Sequence, residues 1–245
     1  MGEHVLSNPK LWLGGYALSG AHRSLAFRFG AEAVDVTAFG DTTRARLAGL
    51  KTLSFQHEGF WDADAGAASP DALLFANVAL ADVLGSFTAE GGDEGEIAYF
   101  AQLLHTEYSH GGPVGEAHPF SVAGESSGQY GLLRGIVGAN RTAIAATGQS
   151  SGYNHGAVGA AQSLYAGLHV LGAGGTPTLD VTIESDSADT WLSPTTRLTF
   201  SQATAIGSQF ATPVAGAITD TWWRVTWTVG GGTPDLDFIV VLAIQ

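Results

Sequence analysis

Residues 220–231, DTWWRVTWTVGG, alternate with a period of two: Trp223, Val225, Trp227 and Val229 fall on one face, Trp222, Arg224, Thr226 and Thr228 on the other. A strand sends successive side chains to opposite sides of its sheet, so this alternation marks a half-buried β-strand. The same pattern predicts strands in LAFRFG (25–30), EAVDVTAF (32–39), KTLSFQHEGF (51–60), IAYFAQLLHTEY (97–108) and HPFSVAGES (118–126). It continues in YAGLHVLG (165–172), LDVTIESD (179–186), TRLTFSQ (196–202) and DFIVVLAI (237–244). Gly-rich and Pro-containing breaks separate these runs, as a mainly β chain requires.

One segment departs from the alternation. SPDALLFANVALADVLG (69–85) opens with a capping serine, places Pro70 and Asp71 in the first turn, runs through good helix formers and stops at Gly85. It predicts a helix over 71–84, about four turns, whose Leu73, Leu74, Val78, Leu80 and Leu84 would cover one side of a sheet.

Sliding the chain along itself by 145 places sets VDVTAFGD (34–41) on LDVTIESD (179–186) and, without a gap, LSF (53–55) on LTF (198–200). Seven of the 22 positions from 34 to 55 coincide: Asp35/Asp180, Val36/Val181, Thr37/Thr182, Asp41/Asp186, Leu47/Leu192, Leu53/Leu198 and Phe55/Phe200. AYFAQLLHTEYSHGG then resembles DTWWRVTWTVGG at an offset near 119, so the second half lacks about 26 residues, corresponding to the helical segment. The expectation is two related β-sandwich or barrel domains, 1–150 with the helix and 151–245 without it, divided within ATGQSSGYNHG (146–156).

Bulk composition narrows the function. At 245 residues and 45% apolar content the chain can build one large core or two ordinary ones. No apolar run approaches the roughly 20 residues of a spanning helix. MGEHVLSNPKLWLGG has neither the basic nor the apolar region of a signal peptide, and as a myristoylation signal Gly2 would need its serine one place before Ser7. Without cysteine there are no disulfides and no thiolate metal sites. Ten basic against 23 acidic residues, a net charge of −13, argue against a nucleic-acid-binding surface, which gains affinity by displacing counterions from phosphates. Only 13% of residues are charged, with 34 glycines and 10% aromatics, which points to surface buried against other copies of the chain.

Catalytic patterns are weak. GESSG (124–128) and GQSSG (148–152) match the nucleophile-elbow spacing around Ser126 and Ser150, but the Gly-rich sequences that follow cannot supply the helix the elbow needs. His105, His110 and His118 lie near Glu107 and Glu116, yet not at a compact metal-binding spacing. EGGDEGE (90–96) lacks calcium-loop spacing, GAGGTP (172–177) lacks the lysine of a phosphate loop, and NRT (140–142) fits a glycosylation acceptor only formally. The expectation is no enzyme, no metal and no cofactor. Trp191 and Trp222 remain as a possible aromatic contact surface for a ligand or a neighbouring subunit.

The remaining anomaly is DVTAFGDTTRARLAGLKTLSFQHEGFWD (35–62), which puts Arg44, Arg46 and Lys51 in a long excursion between two strand patterns of an acidic chain. Together with SPDALLFANV it resembles the major tail (tail tube) proteins of long-tailed bacteriophages, in which a strand ending in such a DVT-FGD motif enters a long basic and apolar loop and a helix flanks the sheet. The resemblance covers residues 35 to about 80 and extends less sharply to LDVTIESD, TTRLTF and TDTWWRVTWTV.

That family implies a structural virion protein, found in the phage tail and in the host cytoplasm during assembly. It forms stacked rings, hexameric or trimeric and pseudo-hexameric, around a channel through which DNA passes without specific binding. Its partners would be copies of itself and other tail or neck proteins, with no membrane. Phe39, Arg44, Arg46, Leu47, Leu50 and Lys51 would form the assembly interface. An acidic wall suits a DNA channel, because phosphates do not adhere to it. The alternative is a capsid- or tail-decorating or carbohydrate-binding β-sandwich that uses Trp191 and Trp222, and a serine hydrolase is the weakest reading.

Overall fold

The structure, a computed structural model, describes residues 6, 8–20, 22–62 and 69–245. Gly2 and Ser7, the two residues of the myristoylation reading, lie outside the described set. The described elements run β1 (Lys10–Leu13), β2 (Tyr16–Ala17), β3 (His22–Asp35), β4 (Arg46–Phe60), α1 (Pro70–Ala76), β5 (Val83–Thr88), β6 (Ile97–His110), β7 (Pro119–Ser126), β8 (Leu133–Ile144), β9 (Gly148–Gln149) and β10 (Tyr153–Asn154). They continue with β11 (Ser163–Asp186), β12 (Thr195–Thr199), β13 (Gly207–Phe210), β14 (Val214–Ala215) and β15 (Trp222–Ile244). The chain is mainly β, as the alternation predicts, with one short helix among the described residues.

Two compact units form, and neither is continuous in sequence. One comprises Met1–Gly20, Leu84–Phe100 and Leu133–Gln245, the other Ala21–Val83 and Ala101–Leu132. This differs from a division near residue 150. The physical reason is hydrogen bonding: β8, before that point, pairs with β15, after it, through Val240↔Ala139 and Val241↔Val137. A cut near residue 150 would leave those strand edges unpaired.

In the first unit, β11 and β15 pair from Leu164↔Ile244 to Asp186↔Trp222, which joins pairs of predicted strands into single long ones. Bulges interrupt the ladder between Val170 and Gly172 and between Gly174 and Thr176. Gly231 there has φ +92°, and a Cβ on it would meet the Thr176 carbonyl oxygen at 2.0 Å, so only glycine fits. Trp223, Val225 and Trp227 are buried in one cluster with Val181, Ile183, Leu198 and Phe238, which confirms the predicted face. β8 was not predicted, because the glycines in GLLRGIVGAN hide its alternation; Gly135 packs onto the Leu242 backbone, leaving no room for a side chain.

The second unit is a sheet in the order β3-β4-β7-β6, the last strand contributing its residues 101–110. α1 contributes buried Leu73 and Leu74. It is half the predicted length. Ser69 accepts the Ala72 amide at 3.3 Å and Pro70 starts the helix, as expected, but Asn77 ends it. Val78 instead bridges His105 of β6, Ala79 and Asp82 take positive φ, and Val83 begins β5. Strand pairing thus outweighs helix propensity over residues 77–84. Val78 and Leu80 are exposed rather than covering a sheet.

Pairing register does not follow the 145-residue offset. Leu53 lies opposite Phe29 on β3, whereas its counterpart Leu198 lies opposite Ile183, the equivalent of position 38. Asp35 ends its strand and turns the chain, while Asp180 sits mid-strand and binds the Gln202 side chain at 2.9 Å. Identical residues in the two segments therefore do different structural work.

Candidate assembly surface

β4 pairs with β7 only from Ser54 to Phe60. Beyond Ser54 its sole partner among the described residues is β3, through Phe29↔Leu53, Gly30↔Thr52 and Ala31↔Lys51, then across a bulge to Val34↔Leu47 and Asp35↔Arg46. Residues 29–53 thus form a two-stranded ribbon that leaves the sheet. Such a ribbon alone is marginal in water, since neither face is covered.

The letters of DVTAFGD have a local cause in its tip. The Asp35 carboxylate accepts the Thr37 amide at 3.0 Å and the Thr37 hydroxyl at 2.5 Å, which holds its pKa below the usual carboxylate value. Thr37 Oγ1 in turn accepts the Ala45 amide at 3.1 Å, and Val36 donates to the Ala45 carbonyl at 2.9 Å. Asp41 accepts the Ala38 amide at 2.8 Å and closes a turn by donating its own amide to the Ala38 carbonyl at 3.2 Å. Gly40 supplies the φ of +100° that the third position of this turn needs. These bonds present Phe39 fully to solvent.

The six residues expected at an assembly interface all lie on this ribbon. Phe39 and Arg44 are in the 36–45 loop; Arg46, Leu47, Leu50 and Lys51 are on β4, so the excursion is shorter and more ordered than a loop running to residue 51. Leu47 is 62% and Leu50 86% exposed, and Val34 and Val36 add to the apolar surface. Val34 and Leu47 are directly paired, so their side chains share one face. Arg44 and Arg46 make no ion pair among the described residues, and Lys51 Nζ lies 6.0 Å from the centre of the Phe29 ring.

Trp191 and Trp222 do not offer a comparable surface. The Arg224 guanidinium lies 4.4 Å over the Trp191 ring, and Gly152 packs closely against the same indole. Arg224 is itself fixed by Glu184 at 2.7 Å. Trp222 is half-buried on β15, opposite Asp186.

Ser150 is buried, and its hydroxyl accepts the Val225 amide at 2.9 Å. Ser126 ends β7, and the following Ser127 donates to Asp82 at 2.9 Å. The three noted histidines separate: His110 Nδ1 lies 3.0 Å from His118 Nε2 at the surface, while His105 is fully buried. Sequence reasoning missed the buried group to which His105 belongs. The His22 and His57 rings stack at 4.5 Å, and His57 and His105 meet edge to face at 6.0 Å, with Phe55 and Phe120 around them. Their ring nitrogens have no hydrogen-bond partner among the described residues, and burial lowers the pKa of His22 and His105 to about 4 and that of His57 well below its ordinary value. The residues stand 35 and 48 positions apart in sequence, so no local spacing could have revealed them.

No protein-family model matches the chain, and no curated protein does. Among solved structures it is similar to the crystal structure of the SPP1 Dit hub protein, at 11% identity and a TM-score of 0.41, over 97% of this chain and 99% of that one. It is similar to the SPP1 tail tube at 12% identity and a TM-score of 0.41, over 52% of this chain and 76% of that one. It is also similar to a chain of the native gene transfer agent virion at 21% identity and a TM-score of 0.36, over 46% of this chain and 82% of that one.

Proposed function

We propose that the chain is a structural protein of a phage-type tail that assembles with copies of itself into stacked rings around a DNA channel. The observation that carries this reading is the β3–β4 ribbon. Phe39, Leu47 and Leu50 remain mostly exposed within their own unit, and a self-ordered tip holds Phe39 outward. A ribbon of this kind becomes stable when a neighbouring copy buries it, which makes assembly the natural sink for its exposed surface. The net charge of −13 supports a channel that does not retain DNA. The packing of Trp191 against Arg224 and Gly152 leaves the decorating or sugar-binding reading without a free aromatic platform at that residue.

Negative-stain electron microscopy of the purified chain tests the proposal. Rings or tubes are expected, and their symmetry distinguishes three chains per ring from six. A monodisperse monomer over a wide concentration range would sink it.

A further inference from the structure

Charge is segregated within the second unit. Its five basic residues, Arg23, Arg28, Arg44, Arg46 and Lys51, all lie on the β3–β4 hairpin. The hairpin also carries Glu32, Asp35, Asp41 and Glu58, whereas the rest of the unit, residues 61–83 and 101–132, contains seven acidic residues and no lysine or arginine. On the acidic side, α1 and the chain that follows it expose Phe75, Val78 and Leu80, with Phe75 71% exposed. A cleft lined by Phe75, Val78, Thr106, Glu107 and Tyr108 opens there, and Asp71 is held beside it by Tyr108 Oη at 2.5 Å and Trp61 Nε1 at 2.8 Å. These two bonds keep the Asp71 carboxylate ionised by lowering its pKa.

The ribbon carries the complementary set: apolar Phe39, Leu47 and Leu50 beside Arg44, Arg46 and Lys51. Register shows that the two surfaces of one copy do not meet. Glu107 is paired with Ala123, and Ala123 with Gln56 on β4. The ribbon end at Arg46 lies ten residues farther along the same strand, on the order of 33 Å at about 3.3 Å per residue.

We infer that the ribbon of one copy docks on the α1–β6 patch of a second copy, with Phe39, Leu47 or Leu50 entering the cleft beside Phe75 and Val78 and the ribbon's basic residues facing Glu107 and Asp71. Two different surfaces of one chain then make a heterologous contact, the kind that closes rings or propagates stacks rather than stopping at a dimer. The ribbon supplies the cations Arg44, Arg46 and Lys51 that the acidic patch lacks, so charge complementarity favours this pairing. The inference rests on the assembly reading above and names the surface that receives the ribbon.

The chain's lack of cysteine makes disulfide trapping clean. In the double variant Leu50→Cys/Val78→Cys, mild oxidation should convert assembled protein into a ladder of covalent dimers and higher species, while either single variant stays uncrosslinked. Glu107→Lys should lower the assembled fraction at least tenfold without moving the melting temperature, and adding Arg46→Glu should restore it. Crosslinking of Leu50→Cys alone, or normal assembly of Glu107→Lys with no ladder from the double variant, would overturn the docking site while leaving the ring reading intact. A wild-type chain that never assembles would remove both.

Discussion

Phe29 and Leu53 face each other across the β3–β4 pair, yet Leu53 is 2% exposed and Phe29 40%. The row they form is where the core of the second unit ends and the ribbon begins. Leu53→Ala should therefore destabilise the chain by about 2–4 kcal/mol, the cost of a cavity under a buried leucine. Phe39→Ser, Leu47→Ser and Leu50→Ser, a few rows away, should stay within about 0.5 kcal/mol of wild type in urea unfolding of the unassembled chain. Equal costs at Leu53 and Leu47 would show that the ribbon is covered within its own chain.

Charge reversal separates folding from assembly. Arg44→Glu with Arg46→Glu shifts the charge of the tip of an already acidic molecule by −4 and removes cations that make no ion pair among the described residues. The variant should keep its circular dichroism spectrum and melting temperature and lose polymerisation in sedimentation velocity runs. Tubes that still form would refute the assignment of these arginines.

What was readable in the sequence is what depends on period and local chemistry. The alternation in β15 and the Ser69 cap with Pro70 follow from neighbours in sequence, and both appear where expected. What was not readable depends on distant pairing. Residues 77–84 look helical until β6 is present to bridge Val78, and the DVT segments at 35 and 180 look duplicated until their registers are compared. The His22, His57 and His105 group has no sequence signature, because three different strands bring it together.

The same histidines predict acid sensitivity. His57 and His105 are buried and His22 half-buried, all three in the neutral form, and burial lowers His22 and His105 to about 4 in the folded chain against about 6.5 unfolded. Above pH 6.5 both states are neutral and the stability is fully present; below it the unfolded chain binds protons first, so stability falls until the folded pKa is reached. Each histidine that stays neutral contributes a loss of about 1.4 kcal/mol per pH unit in that window. Urea unfolding between pH 7 and 4.5 should show this fall, and His57→Phe should reduce its slope. Identical slopes for variant and wild type would refute the effect; the window lies above the pH at which Asp35 and Asp71 begin to protonate, since both are held low.

Trp222 and Trp223 are neighbours on opposite faces of β15, and their substitution tests the alternation itself. Trp223 is fully buried, and its Nε1 donates to the Gly156 carbonyl at 2.7 Å. Trp223→Phe keeps most of the ring and strands that carbonyl, at about 1–3 kcal/mol. Trp223→Ala also opens a cavity, at about 3–5 kcal/mol. Trp222→Ala removes a half-buried side chain from the outer face and should cost less than about 1 kcal/mol, because water already reaches it. Thermal denaturation at neutral pH ranks the three. A Trp222→Ala loss as large as that of Trp223→Ala would mean that both faces of this half of β15 are covered.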